Sequence, residues 1–115
     1  MRVPARAGGP SSAVVALLQA CIDLRFGRIE DLYVRGGEPR FDPPPQLVRT
    51  VKLGGTDAVD TSPSLAQILS KPQTQALLRE LAGVKSGRIL RLEVRDCQPC
   101  FMEVALSATE EAPNA

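Results

Sequence analysis

With 115 residues the chain is long enough for one modest hydrophobic core and short enough to gain from a partner. Its 14 Lys and Arg are balanced by 13 Asp and Glu, and a net charge of +1 excludes the global field of a general nucleic-acid or anionic-membrane binder. Histidine is absent, aromatics are 3% and there is no Trp, which removes the commonest general base and metal ligand and leaves few platforms for stacking.

Residues 1–10, MRVPARAGGP, mix Pro, Gly and Arg without periodicity and predict a flexible arm. Ser11 or Ser12 can cap a helix by accepting a bond from a first-turn amide. Val14, Leu17, Leu18 and Cys21 then recur at the i, i+3, i+4, i+7 spacing of one helix face, which Ile22 widens and which should end near Arg25. The apolar run from Ala13 to Leu18 behind Arg2 and Arg6 sits at the short limit for a secretion signal. A matching run, Ala76 to Leu81, lies mid-chain where no signal acts, so a cytoplasmic location is expected. No run approaches the ~18 apolar residues of a membrane span.

Gly27 opens a strand in which Leu32 and Val34 should face a core while Asp31, Tyr33 and Arg35 face water. Gly36 and Gly37 supply a turn able to take positive φ, and Pro39 confines the returning strand to an edge. Pro43 to Pro45 interrupt it, after which Gln46 to Leu53 reads as a further strand with Leu47, Val51 and Leu53 on one face. Residues 54–61 form a polar connector. Ser62 and Pro63 start a short helix to Leu69, Pro72 halts it, and a second helix presents Leu77, Leu78, Leu81 and Val84. In the strand from Gly87 to Arg95, alternation puts Leu90, Leu92 and Val94 inward and Arg91, Glu93 and Arg95 outward. Asp96 to Pro99 then turns the chain and Phe101 to Leu106 returns it, leaving residues 108–115 as a disordered tail.

The two halves match each other without a gap. Setting 16–41 against 76–101 gives eleven identities in 26 positions, among them Gly27-Arg28-Ile29 with Gly87-Arg88-Ile89, and Leu32, Val34, Arg35, Pro39 and Phe41 with their counterparts sixty residues on. Unrelated chains of ordinary composition share roughly one or two, so the chain reads as an internal repeat. The expected fold is α+β: two tandem αββ repeats forming an antiparallel sheet with helices on one face, in a single domain over 11–107, repeat one being 11–53 and repeat two 62–107.

Candidate chemistry is sparse. Cys97-Gln98-Pro99-Cys100 has the CxPC form of thiol-disulfide exchange proteins, but it falls on a hairpin turn rather than at the helix N-terminus that stabilises a thiolate. Two sulfurs cannot complete a structural zinc shell either. Cys97 and Cys100 therefore read first as free turn cysteines, next as a disulfide or metal half-site shared across a dimer, with redox catalysis a remote alternative. Arg28 with Arg88 and Arg35 with Arg95 are the only charged residues identical in both copies. With Arg91 they can gather into a basic sheet face for phosphate or a carboxylate-rich partner, or pair across strands with Asp31, Glu93 and Glu103. Glu30 and Asp31 point to opposite faces of a strand and make no acid-base dyad. Gly54 and Gly55 lack the Lys and Ser or Thr of a phosphate loop.

The run LRFGRIEDLYVRGGEP through Val51-Lys52-Leu53 resembles short bacterial proteins of unknown function in which a helix precedes a Gly-Xaa-Ile strand, a Gly turn and a basic closing strand. That resemblance implies a bacterial cytoplasmic origin and no activity. Asp31, Leu32 and Gly36-Gly37-Glu38-Pro39 before a strand are similar to the N-terminal domain of type IV pilus retraction and secretion ATPases, a likeness that implies fold alone. The expected role is a non-enzymatic interaction or regulatory module using a sheet face or edge, as a homodimer or with another protein, without cofactor, metal or membrane. The alternative is nucleic-acid binding through Arg28, Arg35, Arg88, Arg91 and Arg95.

Overall fold

A computed structural model describes residues 10–54 and 62–106. The expected arm other than Pro10, most of the connector and the expected tail lie outside the described residues. Among the described residues the chain forms α1 (Ser12–Leu24), β1 (Phe26–Arg35), β2 (Glu38–Arg40), β3 (Gln46–Arg49), α2 (Leu65–Leu69), α3 (Pro72–Ala82), β4 (Ser86–Arg95) and β5 (Gln98–Leu106). It is an α+β fold with three helices and an open, fully antiparallel five-stranded sheet.

Helix α1 begins where Ser11 Oγ accepts the Val14 amide at 3.2 Å. The same hydroxyl donates to the Glu38 carboxylate, fastening the helix start to β2. The expected stripe is the buried one, since Val14, Leu17, Leu18, Cys21 and Ile22 all leave solvent. Helix α2 starts later than Ser62-Pro63 suggests, because Ser64 and Gln67 form a reciprocal capping box. Helix α3 carries Pro72 in its first turn, where a missing amide costs nothing, and buries Thr74, Leu77 and Leu81. These helices share one core with Ile29, Leu32, Val34, Ile89, Leu92 and Val94 of the two long strands.

Strand β1 lies between β4 on one side and β2 with β3 on the other, while β5 closes the far edge on β4. The β1–β4 register aligns Gly27 with Val94 and Gly87 with Val34, Ile29 with Leu92 and Ile89 with Leu32. Each pair therefore becomes its mirror pair when the sixty-residue offset is applied. Both hairpin turns are two residues long with positive φ at each: 62° and 78° at Gly36 and Gly37, 58° and 67° at Asp96 and Cys97. The second turn is thus shorter than the expected Asp96 to Pro99, and β5 starts at Gln98.

Two expectations about the strands are corrected. Leu90 is not in the core but 37% exposed, and Ile89 takes the inward place beside Leu92 and Val94. The side-chain alternation switches parity in mid-strand, at Asp31 (φ 58°) in β1 and at the β4–β5 register shift between Ile89 and Arg91. Strand β3 ends at Arg49, leaving Val51 and Leu53 62% and 87% exposed rather than on a strand face. The repeated glycines have a common physical cause, namely a neighbouring carbonyl. A Cβ on Gly27 would stand 2.0 Å from the Val48 oxygen, and one on Gly87 2.8 Å from that of Ala105.

Candidate functional site

Cross-strand neighbours share a sheet face, so the register fixes what the open face displays. One row runs Val48, Arg28, Glu93, Phe101; the next runs Gln46, Glu30, Arg91, Glu103; a third runs Arg40, Tyr33, Arg88, Ala105. Charges of opposite sign alternate across the first two. Arg28 meets Glu30 at 2.6 Å, and Arg91 meets Glu93 and Glu103 at 3.5 Å each while its guanidinium carbon lies 5.7 Å from the Phe101 ring centre. The middle of the face is a neutralised mosaic whose half-exposed pairs contribute little to stability.

The five candidate arginines are thus distributed rather than gathered. Arg28 and Arg91 are held by carboxylates at the centre. Arg95 stands opposite Phe26 at one end of the β1–β4 ladder, and Arg35 opposite Ser86 at the other. Over the intervening strand that separation is about 30 Å. Arg35 and Arg88, however, meet Arg40 at one end, around Tyr33. These four side chains, with Phe41, Asp42, Pro43 and Ser86 among the other walls, line an open groove of about 760 Å³. Arg40 is not among the five candidate arginines of the sequence. Its membership follows from its pairing with Tyr33, which hairpin registry could have supplied.

The cysteines are three free thiols. Cys97 is buried, its amide donating to the Arg25 carbonyl at 2.9 Å and its Sγ to the Ile22 carbonyl at 3.6 Å, so the second turn docks on the end of α1. The first turn docks likewise on the end of α3, Gly37 donating to the Val84 carbonyl at 2.9 Å. Burial raises the Cys97 thiol pKa, with Arg25 opposing in part. Burial, helped by the neighbouring cysteines, pushes Cys21 up to about 12. Both thiols are therefore held protonated, the reverse of what a nucleophilic cysteine needs. Cys100 Sγ lies 3.5 Å from the Glu93 carbonyl. No group of three or more metal-ligating side chains occurs among the described residues.

The two edges of the sheet differ. On one side β2 and β3 are three and four residues long, Pro39 sits in the first, and Pro43 to Pro45 separate them. On the other, β5 runs nine residues, and from Cys100 to Leu106 it has no Pro and a single charge, Glu103. Phe101 and Leu106 are 49% and 65% exposed along it.

Comparison with protein families, with curated proteins and with solved structures finds no match to this chain. No helix among the described residues is long and apolar enough to cross a membrane.

Proposed function

We propose that the chain is a small non-enzymatic interaction module that pairs with a second copy of itself through the β5 edge. The observation that carries this reading is the contrast between the edges. Proline, short strands and charge are the devices that keep sheet edges from pairing, and they occur on the β2–β3 side while β5 has one charge in seven residues. Antiparallel self-pairing centred on Met102 would set Phe101 of each copy against Glu103 of the other and keep the two carboxylates out of register. A groove of about 320 Å³ between α3 and β5, lined in part by Ala76, Leu77, Met102 and Val104, follows the same edge and offers apolar surface to an added strand.

We also infer that the two αββ halves are related by a pseudo-twofold axis between β1 and β4. The eleven identities, the mirrored register and the reciprocal docking of each turn on the other half's helix all favour it. Free thiols at Cys21, Cys97 and Cys100 favour a reducing compartment and hence the cytoplasm.

Light scattering of the full chain tests the dimer. A dimeric mass is expected at about 100 μM, dissociating on dilution as mass action requires. Phe101→Lys with Ala105→Lys places two charges on the exposed face of β5 and should give a folded monomer. A wild-type monomer at that concentration, or an undisturbed dimer in the double variant, removes the β5 reading.

A further inference from the structure

The row Arg40, Tyr33, Arg88 crosses the open face where β1 runs toward its turn, and Arg35 follows two residues beyond Tyr33 on the same face. Cross-strand neighbours stand about 4.5–5.5 Å apart at Cβ, so two guanidinium stems flank one phenol ring. That ring is 42% exposed, although a tyrosine on an inner strand could have been covered.

These guanidiniums are not consumed by the fold. Among the described residues Arg35 and Arg40 form no ion pair and no side-chain hydrogen bond, whereas Arg28 and Arg91 are tied to carboxylates. Arg88 is intermediate: Asp31 lies 3.7 Å from its Nε, beyond hydrogen-bond range, and that buried nitrogen has no hydrogen-bond partner among the described residues. That Nε, like the one of Arg91, is out of solvent reach, but the Arg88 side chain as a whole is 43% exposed, and its outer fork beside the unpaired Arg35 and Arg40 suits the oxygens of an anion. Asp42 is the carboxylate in the groove wall, and Asp31 leans on Arg88 from outside it, so the pocket retains net positive charge.

We propose that this groove binds a nucleoside phosphate, the phosphate held among Arg35, Arg40 and Arg88 and the base against Tyr33. An aromatic platform between basic side chains is the arrangement by which single nucleotides are stacked and their backbone neutralised. A volume of about 760 Å³ falls among those of small-molecule sites, roughly 300–1,000 Å³. The groove lies on the open face near the β1–β2 turn, whereas the proposed dimer uses the β5 edge, and neither reading depends on the other. The nucleotide could be free or the end of a single strand, and the experiment separates the two.

Tyr33 is the only tyrosine and there is no Trp, so its ring protons, upfield of those of the three Phe rings, give one assignable reporter in a proton NMR spectrum. The full chain is titrated at low salt with inorganic phosphate, with AMP and with a short single-stranded oligonucleotide ending in a 5′-phosphate. Phosphate should shift the guanidinium Nε–H signals of the groove arginines and leave the Tyr33 ring in place. AMP should shift both, and the oligonucleotide should bind more tightly than AMP if a strand end is the ligand and equally if the free nucleotide is. Arg40→Gln or Arg88→Gln should weaken AMP about tenfold, as loss of one charge-assisted fork implies. Tyr33→Leu should weaken AMP about tenfold and phosphate not at all. A Tyr33 ring unmoved by about 10 mM AMP and by the oligonucleotide overturns the proposal, that concentration being above any useful affinity. So does AMP binding that survives both arginine substitutions.

Discussion

Thr74 is 0% exposed on α3, and its Oγ1 has no hydrogen-bond partner among the described residues. In the other half the sixty-residue offset sets Val14 at the same place on α1, buried at 7% exposure. Thr74→Val therefore replaces a stranded hydroxyl with a methyl of equal size, at no loss of helix propensity. Leaving a buried hydroxyl unpaired costs about 1–3 kcal/mol, and Thr and Val rank together as helix formers. The variant should gain about 1–2 kcal/mol, which in a domain of this size raises Tm by roughly 4–8 °C per kcal/mol. Urea unfolding followed by circular dichroism reads the change, with an unaltered m value showing that the unfolded state is unaffected. The converse, Val14→Thr, should lose about 1–3 kcal/mol by the same reasoning. Stability equal to or below wild type in Thr74→Val would show that the hydroxyl is satisfied and refute the argument.

Gly27→Ala must push the Val48 carbonyl from 2.0 Å and Gly87→Ala that of Ala105 from 2.8 Å, so the first should be the worse. We expect losses of about 2–4 and about 1–2 kcal/mol respectively, with hydrogen exchange of the Gly27–Glu30 amides accelerated in Gly27→Ala as β3 detaches. Alkaline stability should follow the buried thiols. Cys21 ionises near pH 9 when unfolded and near 12 when folded, so the folded chain holds the proton more tightly. The stabilisation is complete below pH 9 and is lost as pH rises from 9 to 12, at about 1.4 kcal/mol per unit. Unfolding free energies measured across that range should fall less steeply in Cys21→Ala, whatever its offset at neutral pH.

Helix α1 was legible because one face of period 3.6 and a hydroxyl cap are local signals, and Ser11, Leu17, Leu18 and Cys21 carry them without help from the rest of the chain. The first turn was legible for the same reason, since Gly36-Gly37 suits positive φ at both positions. The inward residues of β4 were not, because Leu90 and Leu92 share a parity and alternation assigns both to the core. The sixty-residue match held the corrective signal: Ile89, Leu92 and Val94 have Ile29, Leu32 and Val34 as counterparts, whereas Leu90 faces Glu30 in that comparison. A position that is Leu in one stretch and Glu in the stretch that matches it is a surface position. The docking of Cys97 on α1 was out of reach, because nothing local to a hairpin says what its turn will meet. The groove was half hidden, since hairpin registry sets Arg40 beside Tyr33 but Arg88 reaches Tyr33 only through the long-range β1–β4 pairing.

The eleven identities between the two halves draw attention, but most of these residues do structural work. The glycines admit a neighbouring carbonyl, and Ile, Leu and Val fill the core. Arg28 sits in an ion pair with Glu30, and its counterpart Arg88 leans toward Asp31. The candidate sites arise where the two matching stretches differ. Tyr33 has Glu93 as its counterpart and Arg40 has Cys100, so the aromatic and basic groove can form at one end of the sheet and not at the other. Strand β5 is continuous where β2 and β3 are broken by Phe41 to Pro45. Gly27 faces Arg49 while Gly87 faces Leu106, which makes the first return path three residues longer than the second. That excursion spoils one edge for pairing and places Phe41, Asp42 and Pro43 in the groove wall. A single divergence between the halves thus closes one edge, leaves the other open and builds one side of the groove. Restoring symmetry by deleting three residues from the Asp42–Pro45 segment should therefore perturb the groove while leaving the β5 edge as it is.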